Sequence, residues 1–170
     1  MAKNVGNWFE NAKTVLDKIQ NLNVSGAQVG TIVFSASSGT AGATAGWVNT
    51  AGYATLPASQ TDSDFIIPIT VNIGDTIESF KVMGQIDSAG NSVTFDAALW
   101  RNVPAVGGTA SSSIGAITQV VVTADTLLAS EKVLATPEVV ASNESYYVYI
   151  EGTTAGTTDI EVVSIEVTLA

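Results

Sequence analysis

Apolar and polar residues alternate with a period of two along most of this chain, in short stretches cut by glycine-rich turns. Phe80, Val82, Gly84 and Ile86 fall on one side, with Lys81, Met83, Gln85 and Asp87 on the other. Val93, Phe95, Ala97 and Leu99 oppose Thr94, Asp96, Ala98 and Trp100, and Val163, Ile165, Val167 and Leu169 oppose Ser164, Glu166 and Thr168. Successive strand side chains point to opposite faces, so runs of this kind are half-buried strands. Turns at 72–75, 87–91, 106–109 and 152–156 carry the Gly, Asn and Asp that tight reversals need. The pattern predicts eight strands, at 31–35, 65–71, 76–87, 92–102, 114–123, 132–136, 144–151 and 159–169. Eight short strands with no helix between them form an antiparallel β-sandwich, and the count favours a jelly-roll-like over an immunoglobulin-like order.

One α-helix is predicted, at 4–22, with Asn4 or Asn7 as its cap. Its apolar residues Val5, Trp8, Ala12, Val15, Ile19 and Leu22 recur at spacings of three and four, the a/d seam of a coiled coil. β-Branched residues at both a and d disfavour a dimer, so the expected assembly is a homotrimer held by this seam. Residues 1–25 are therefore expected to oligomerise or anchor, and 26–170 to form the β-sandwich domain. Within the latter, 36–61 is rich in Ser, Gly, Ala and Thr and is expected as a mobile loop.

Composition removes most chemistries. With no Cys and no His, neither a Cys or Ser nucleophile paired with histidine nor an imidazole or thiolate metal site is available. No cofactor is expected. Three of the six cations, Lys3, Lys13 and Lys18, sit in the first 25 residues, so the sandwich domain carries the negative charge of a chain at −10. Such a body repels phosphate backbones and anionic bilayers, so neither nucleic acid nor membrane is expected as a partner. The first residues have no apolar stretch of the kind a secretory signal peptide requires, which predicts synthesis and assembly in a bacterial cytoplasm.

What remains is carboxylates and aromatic rings. Asp62 and Asp64 have a spacing that can clamp a hard cation, but the calcium-loop pattern around them is incomplete, so they are read as solvated charge at a strand end. Asp75 and Glu78 read first as turn residues. Paired carboxylates can hydrolyse glycosides. Among sixteen acids some pair will meet the required spacing by chance, so the chain is read as non-enzymatic. Trp47, Tyr53 and Trp100, with Tyr147 and Tyr149 on one strand face, are candidate aromatics for a sugar ligand or an interface.

The stretch Phe65-Ile66-Ile67-Pro68-Ile69-Thr70-Val71-Asn72-Ile73-Gly74-Asp75-Thr76-Ile77, the strand Val93–Arg101 and the strand Ser145-Tyr146-Tyr147-Val148-Tyr149-Ile150 resemble the small β-sandwich domains of tailed-phage structural proteins. The resemblance covers most of residues 65–169. It implies a virion structural protein, a capsid decoration or head fibre with capsid or tail proteins as partners. The alternative is the receptor-binding tip of a tail fibre that binds a host surface glycan. No site residue is carried over by it.

Overall fold

A computed structural model of the chain describes residues 28–170. The helix expected at 4–22 and its seam residues Val5, Trp8, Ala12, Val15, Ile19 and Leu22 lie outside the described residues. So does the expectation that 1–25 oligomerises or anchors.

The described residues form eleven strands rather than the eight expected: β1 (Gly30–Ser35), β2 (Thr40–Ala41), β3 (Val48–Thr50), β4 (Tyr53–Leu56), β5 (Ser63–Ile69), β6 (Thr76–Asp87), β7 (Val93–Ala105), β8 (Gly108–Val122), β9 (Thr126–Val139), β10 (Ser145–Thr153) and β11 (Asp159–Leu169). They make two antiparallel sheets. One has the order β3-β4-β11-β6-β9, with β1 also paired to β11, and the other runs β2-β5-β10-β7-β8. From β4 onward each connection except the β7–β8 hairpin crosses between the sheets, which is jelly-roll topology. Every predicted strand has a counterpart, and the three additions, β2, β3 and β4, all fall within 36–61.

That segment is the main correction to the sequence reading. Its small residues are not slack; they let the backbone lie flush on β5. A Cβ at Gly39 would stand 2.5 Å from the Phe65 ring, one at Gly42 2.5 Å from Asp64 Cβ, and one at Gly46 2.5 Å from Ser63 Oγ. Backbone bonds follow from that closeness: Gly42 N donates to the Asp64 carbonyl at 2.9 Å and Asp64 N to that of Thr44 at 3.0 Å. Side chains any larger would hold the two backbones apart.

Phe65, Phe80 and Phe95 fill the space between the sheets with Leu56, Ile67, Ile77, Ile86, Leu99, Ile150, Ile160 and Ile165, all fully buried. Each such side chain contributes about 1.5–3 kcal/mol relative to an exposed one. Alternation holds through β7 and β10 but slips near the start of β6, where Ser79 and Phe80 are both buried, and in β11, where a bulge lies between Val162 and Ser164 opposite Gly84 and Met83. Val162, Ile165, Val167 and Leu169 therefore face the core, while Val163 is 48% exposed. Gly84 permits this, since a Cβ there would run into the Glu161 carbonyl.

The two ends of the sandwich differ in charge. One end gathers the connections 57–62, 88–92, 123–125 and 154–158, and Thr154 N donates to the Gln60 carbonyl at 2.8 Å across it. Asp62, Asp64, Asp87, Asp96, Asp125, Glu151, Asp159 and Glu161 lie in or near this end. At the other end Arg101 Nη1 pairs with Glu138 Oε1 at 2.7 Å and sits 3.7 Å from Glu144 Oε1. The Tyr146 hydroxyl lies 2.6 Å from Glu144 Oε2 and 3.2 Å from Glu138 Oε1. This network ties β7, β9 and β10 together between the sheets.

Candidate functional site

Three of the five candidate aromatics meet on the outer face of the five-stranded sheet. Register explains how. Tyr147 is the cross-strand partner of Trp100 on β7 and of Pro68 on β5, and Tyr149 is the partner of Ala98 and of Ile66. β7 and β10 bury Leu99, Ala97, Val148 and Ile150, so the residues between them must point outward. Trp100 and Tyr147 stack with ring centroids 6.3 Å apart and planes 9° from parallel. The indole N–H of Trp100 is buried and has no hydrogen-bond partner among the described residues. Both rings remain half-buried at the surface.

The other two aromatics are elsewhere. Trp47 is 6% exposed, packs at 5.2 Å and 30° on Phe65, and donates its indole N–H to the Ser63 carbonyl at 2.8 Å. It is a core residue, not a ligand platform. Tyr53 lies on β4 in the opposite sheet, half-buried and apart from the cluster.

One step beyond the aromatic rows lies a row of acids. Glu151 is the cross-strand partner of Asp96 on one side and Asp64 on the other. Asp64 is nearly buried because the 42–46 segment passes over it, with Thr44 N donating to its Oδ2 at 3.2 Å. The Tyr149 hydroxyl donates to Asp64 Oδ1 and lies 3.4 Å from Glu151 Oε2, so it links the aromatic rows to the acidic one. Burial first, then the Asp64 and Glu151 carboxylates, hold this phenol protonated well above the ordinary tyrosine range. Burial also raises Glu151, with Asp96, Asp62 and Asp64 adding to it, and raises Asp96, with Asp62 adding to it.

Asp62 and Asp64 do not clamp a cation together. Asp62 sits in the turn at φ 45° and exchanges hydrogen bonds with Thr153 at 3.0 and 3.1 Å, while Asp64 turns beneath the 42–46 segment. Among the described residues no three acidic side chains converge on a common point suited to a metal. Asp75 closes a turn, accepting from Gln28 N and Asn72 N, each at 2.7 Å. A surface cleft of about 340 Å³ lies at the acidic end of the other sheet, lined by Gln85, Ile86, Asp87, Asp125, Thr126 and Leu127, with no aromatic ring.

Asp96 and Glu151 are the site residues that sequence reading missed. Their parity was visible: Asp96 shares a face with Trp100, and Glu151 with Tyr147 and Tyr149. The β7–β10 register, which sets them side by side, was not.

No family model matches the sequence, and no curated protein does. Solved structures match its fold. The C-terminal family 22 carbohydrate binding module of Clostridium thermocellum Xyn10B aligns with a TM-score of 0.51 at 13% identity, over 81% of this chain and 92% of that one. The CBM36-1 domain of a multidomain xylanase from the hindgut metagenome of Trinervitermes trinervoides aligns with a TM-score of 0.48 at 12% identity, over 82% and 98%. At 13% identity the likeness to the family 22 module carries the two-sheet sandwich and nothing finer. The small β-sandwich implied by the resemblance to phage structural domains stands on the same ground.

Proposed function

We propose that this chain is a carbohydrate-binding β-sandwich whose ligand lies on the outer face of the five-stranded sheet, against Trp100 and Tyr147. One observation carries the reading: two large rings held near-parallel on the outer face of the five-stranded sheet. A sugar ring presents an apolar face edged with hydroxyls, and it needs a flat aromatic partner beside hydrogen-bonding groups. Trp100, Tyr147 and Tyr149 give the first, and Asp96 and Glu151 the second. The fold shared with carbohydrate binding modules is consistent with this, though a fold alone assigns no function. A place on a virion, expected from the sequence resemblance, adds an identity for the ligand: a glycan of the host cell surface.

Affinity electrophoresis against soluble polysaccharides tests the reading, with Trp100→Ala and Tyr147→Ala alongside the parent chain. Removing a central aromatic anchor costs about 2 kcal/mol or more, a roughly thirtyfold loss of affinity. Each variant should therefore run unretarded while melting like the parent. Equal retardation of the Trp100→Ala variant, or no retardation of the parent by any glycan, would overturn it.

A further inference from the structure

Along β7 the outward residues run Trp100, Ala98, Asp96, and along β10 they run Tyr147, Tyr149, Glu151. Each step covers two residues, so the acidic row lies about 13 Å from the aromatic pair. We infer that this face selects uncharged oligosaccharides and rejects acidic ones, and that Asp96 and Glu151 are the residues that decide. The inference rests on the carbohydrate-binding reading and deepens it.

The distance sets the size of the ligand. A single sugar stacked on Trp100 does not reach the acids, whereas a chain laid along the strands does, passing over the small side chain of Ala98. An ionised carboxylate only accepts hydrogen bonds, and each has about four lone-pair sites, so Asp96 and Glu151 suit the hydroxyl donors of a sugar. The Tyr149 hydroxyl, which gives its one proton to Asp64, lies 3.4 Å from Glu151 Oε2.

The charge sets the class of ligand. Asp62 and Asp64 stand beside this pair, and no described basic residue faces it. Arg101 is turned inward onto Glu138 and Glu144, and Lys81 and Lys132 lie on strands of the other sheet. Both carboxyls are already raised by burial, with Asp62 adding to Asp96, and Asp96, Asp62 and Asp64 adding to Glu151. A uronate or sulfate laid on this row brings a further negative charge into a partly desolvated site, where like charges repel more strongly than in bulk water. A hydroxyl brings none.

The test is calorimetric titration of the full chain, at neutral pH and low salt, with neutral hexasaccharides (xylohexaose and cellohexaose), the monosaccharides xylose and glucose, and a galacturonate hexasaccharide. The parent should bind a neutral hexasaccharide at least about tenfold more tightly than either the monosaccharide or the acidic hexasaccharide. In the double variant Asp96→Asn, Glu151→Gln, which keeps shape and acceptor oxygens, the preference for neutral over acidic chains should shrink by about tenfold or more. Equal parental affinity for neutral and acidic chains would overturn the proposal, as would an unchanged preference in the double variant. Release of reducing ends from a bound chain would also overturn it, because the acids would then act on the glycosidic bond rather than hold hydroxyls. Loss of all glycan binding in the parent would instead bring down the carbohydrate reading, and this inference with it.

Discussion

Asp75 has no exposed surface, yet both oxygens of its carboxylate are engaged: Oδ1 accepts from Gln28 N and Oδ2 from Asn72 N. Its own carbonyl accepts from Val140 N at 2.9 Å, so one residue fastens the chain ahead of β1, the β5–β6 turn and the end of β9. Truncation leaves two backbone N–H groups without their acceptor, and a buried donor left unpaired costs about 1–3 kcal/mol. Asp75→Ala should therefore lower stability to urea by about 2–4 kcal/mol. Asp75→Asn, which keeps one acceptor oxygen, should lose less. An alanine variant within 0.5 kcal/mol, on the order of an ordinary surface change, would show that solvent replaces both bonds. The sequence identified Asp75 as a turn residue because Asn-Ile-Gly-Asp is turn chemistry. Its reach to Gln28, 47 positions away, has no local signature. Trp47 is a similar case, since an indole in a polar, glycine-rich stretch reads as exposed until the β5 backbone carbonyl that takes its N–H is known.

Alternation made the long strands legible, because β6, β7 and β10 each bury one face over many residues. It could not reveal β2 or β3, which are two and three residues long and exposed throughout, too short for any period to register. The bulge in β11 was invisible for a related reason: an inserted residue shifts the phase of alternation without breaking it, so Val163 read as core. The structure predicts how these elements fail. Residues 37–46 should resist protease as well as the β core does, since their backbone is bonded along β5. Gly42→Val should release them, because its side chain collides with Asp64. Early cleavage of the parent chain within 37–46 would contradict this packing. Gly84→Ala forces β6 away from β11 at the bulge, and overpacking of this kind costs about 1–3 kcal/mol. It should appear as a lower urea midpoint with an unchanged slope.

At the scale of the molecule, acidity was legible from composition, but its distribution was not. Strand register determines that acids crowd one end while Arg101 is engaged at the other, and that arrangement gives stability an unusual pH dependence. Burial raises Asp96, Glu151 and Asp159, with neighbouring acids adding in each case. A carboxyl raised in the folded state takes up its proton before the unfolded chain does. For these three, folding is therefore favoured as pH falls from neutrality toward the usual carboxylate range of about 4. Glu144 acts in the opposite sense. Hydrogen bonds from Tyr146 and the Ala141 backbone, then the charge of Arg101, hold it below its ordinary value. Its contribution is complete above the ordinary carboxylate pKa and is lost as pH falls through its lowered one. The expected profile is a melting temperature that rises by a few degrees from pH 7 to about pH 5 and falls at lower pH as Glu144 protonates. Scanning calorimetry at constant ionic strength checks it. The double variant Asp96→Asn, Glu151→Gln should flatten the rise, and Glu144→Gln should remove part of the fall. Added salt should raise the neutral-pH melting temperature more than the one at pH 5, since it screens repulsion that protonation has already relieved. A melting temperature that only decreases from pH 7 downward would mean that the crowded carboxylates do not oppose the fold.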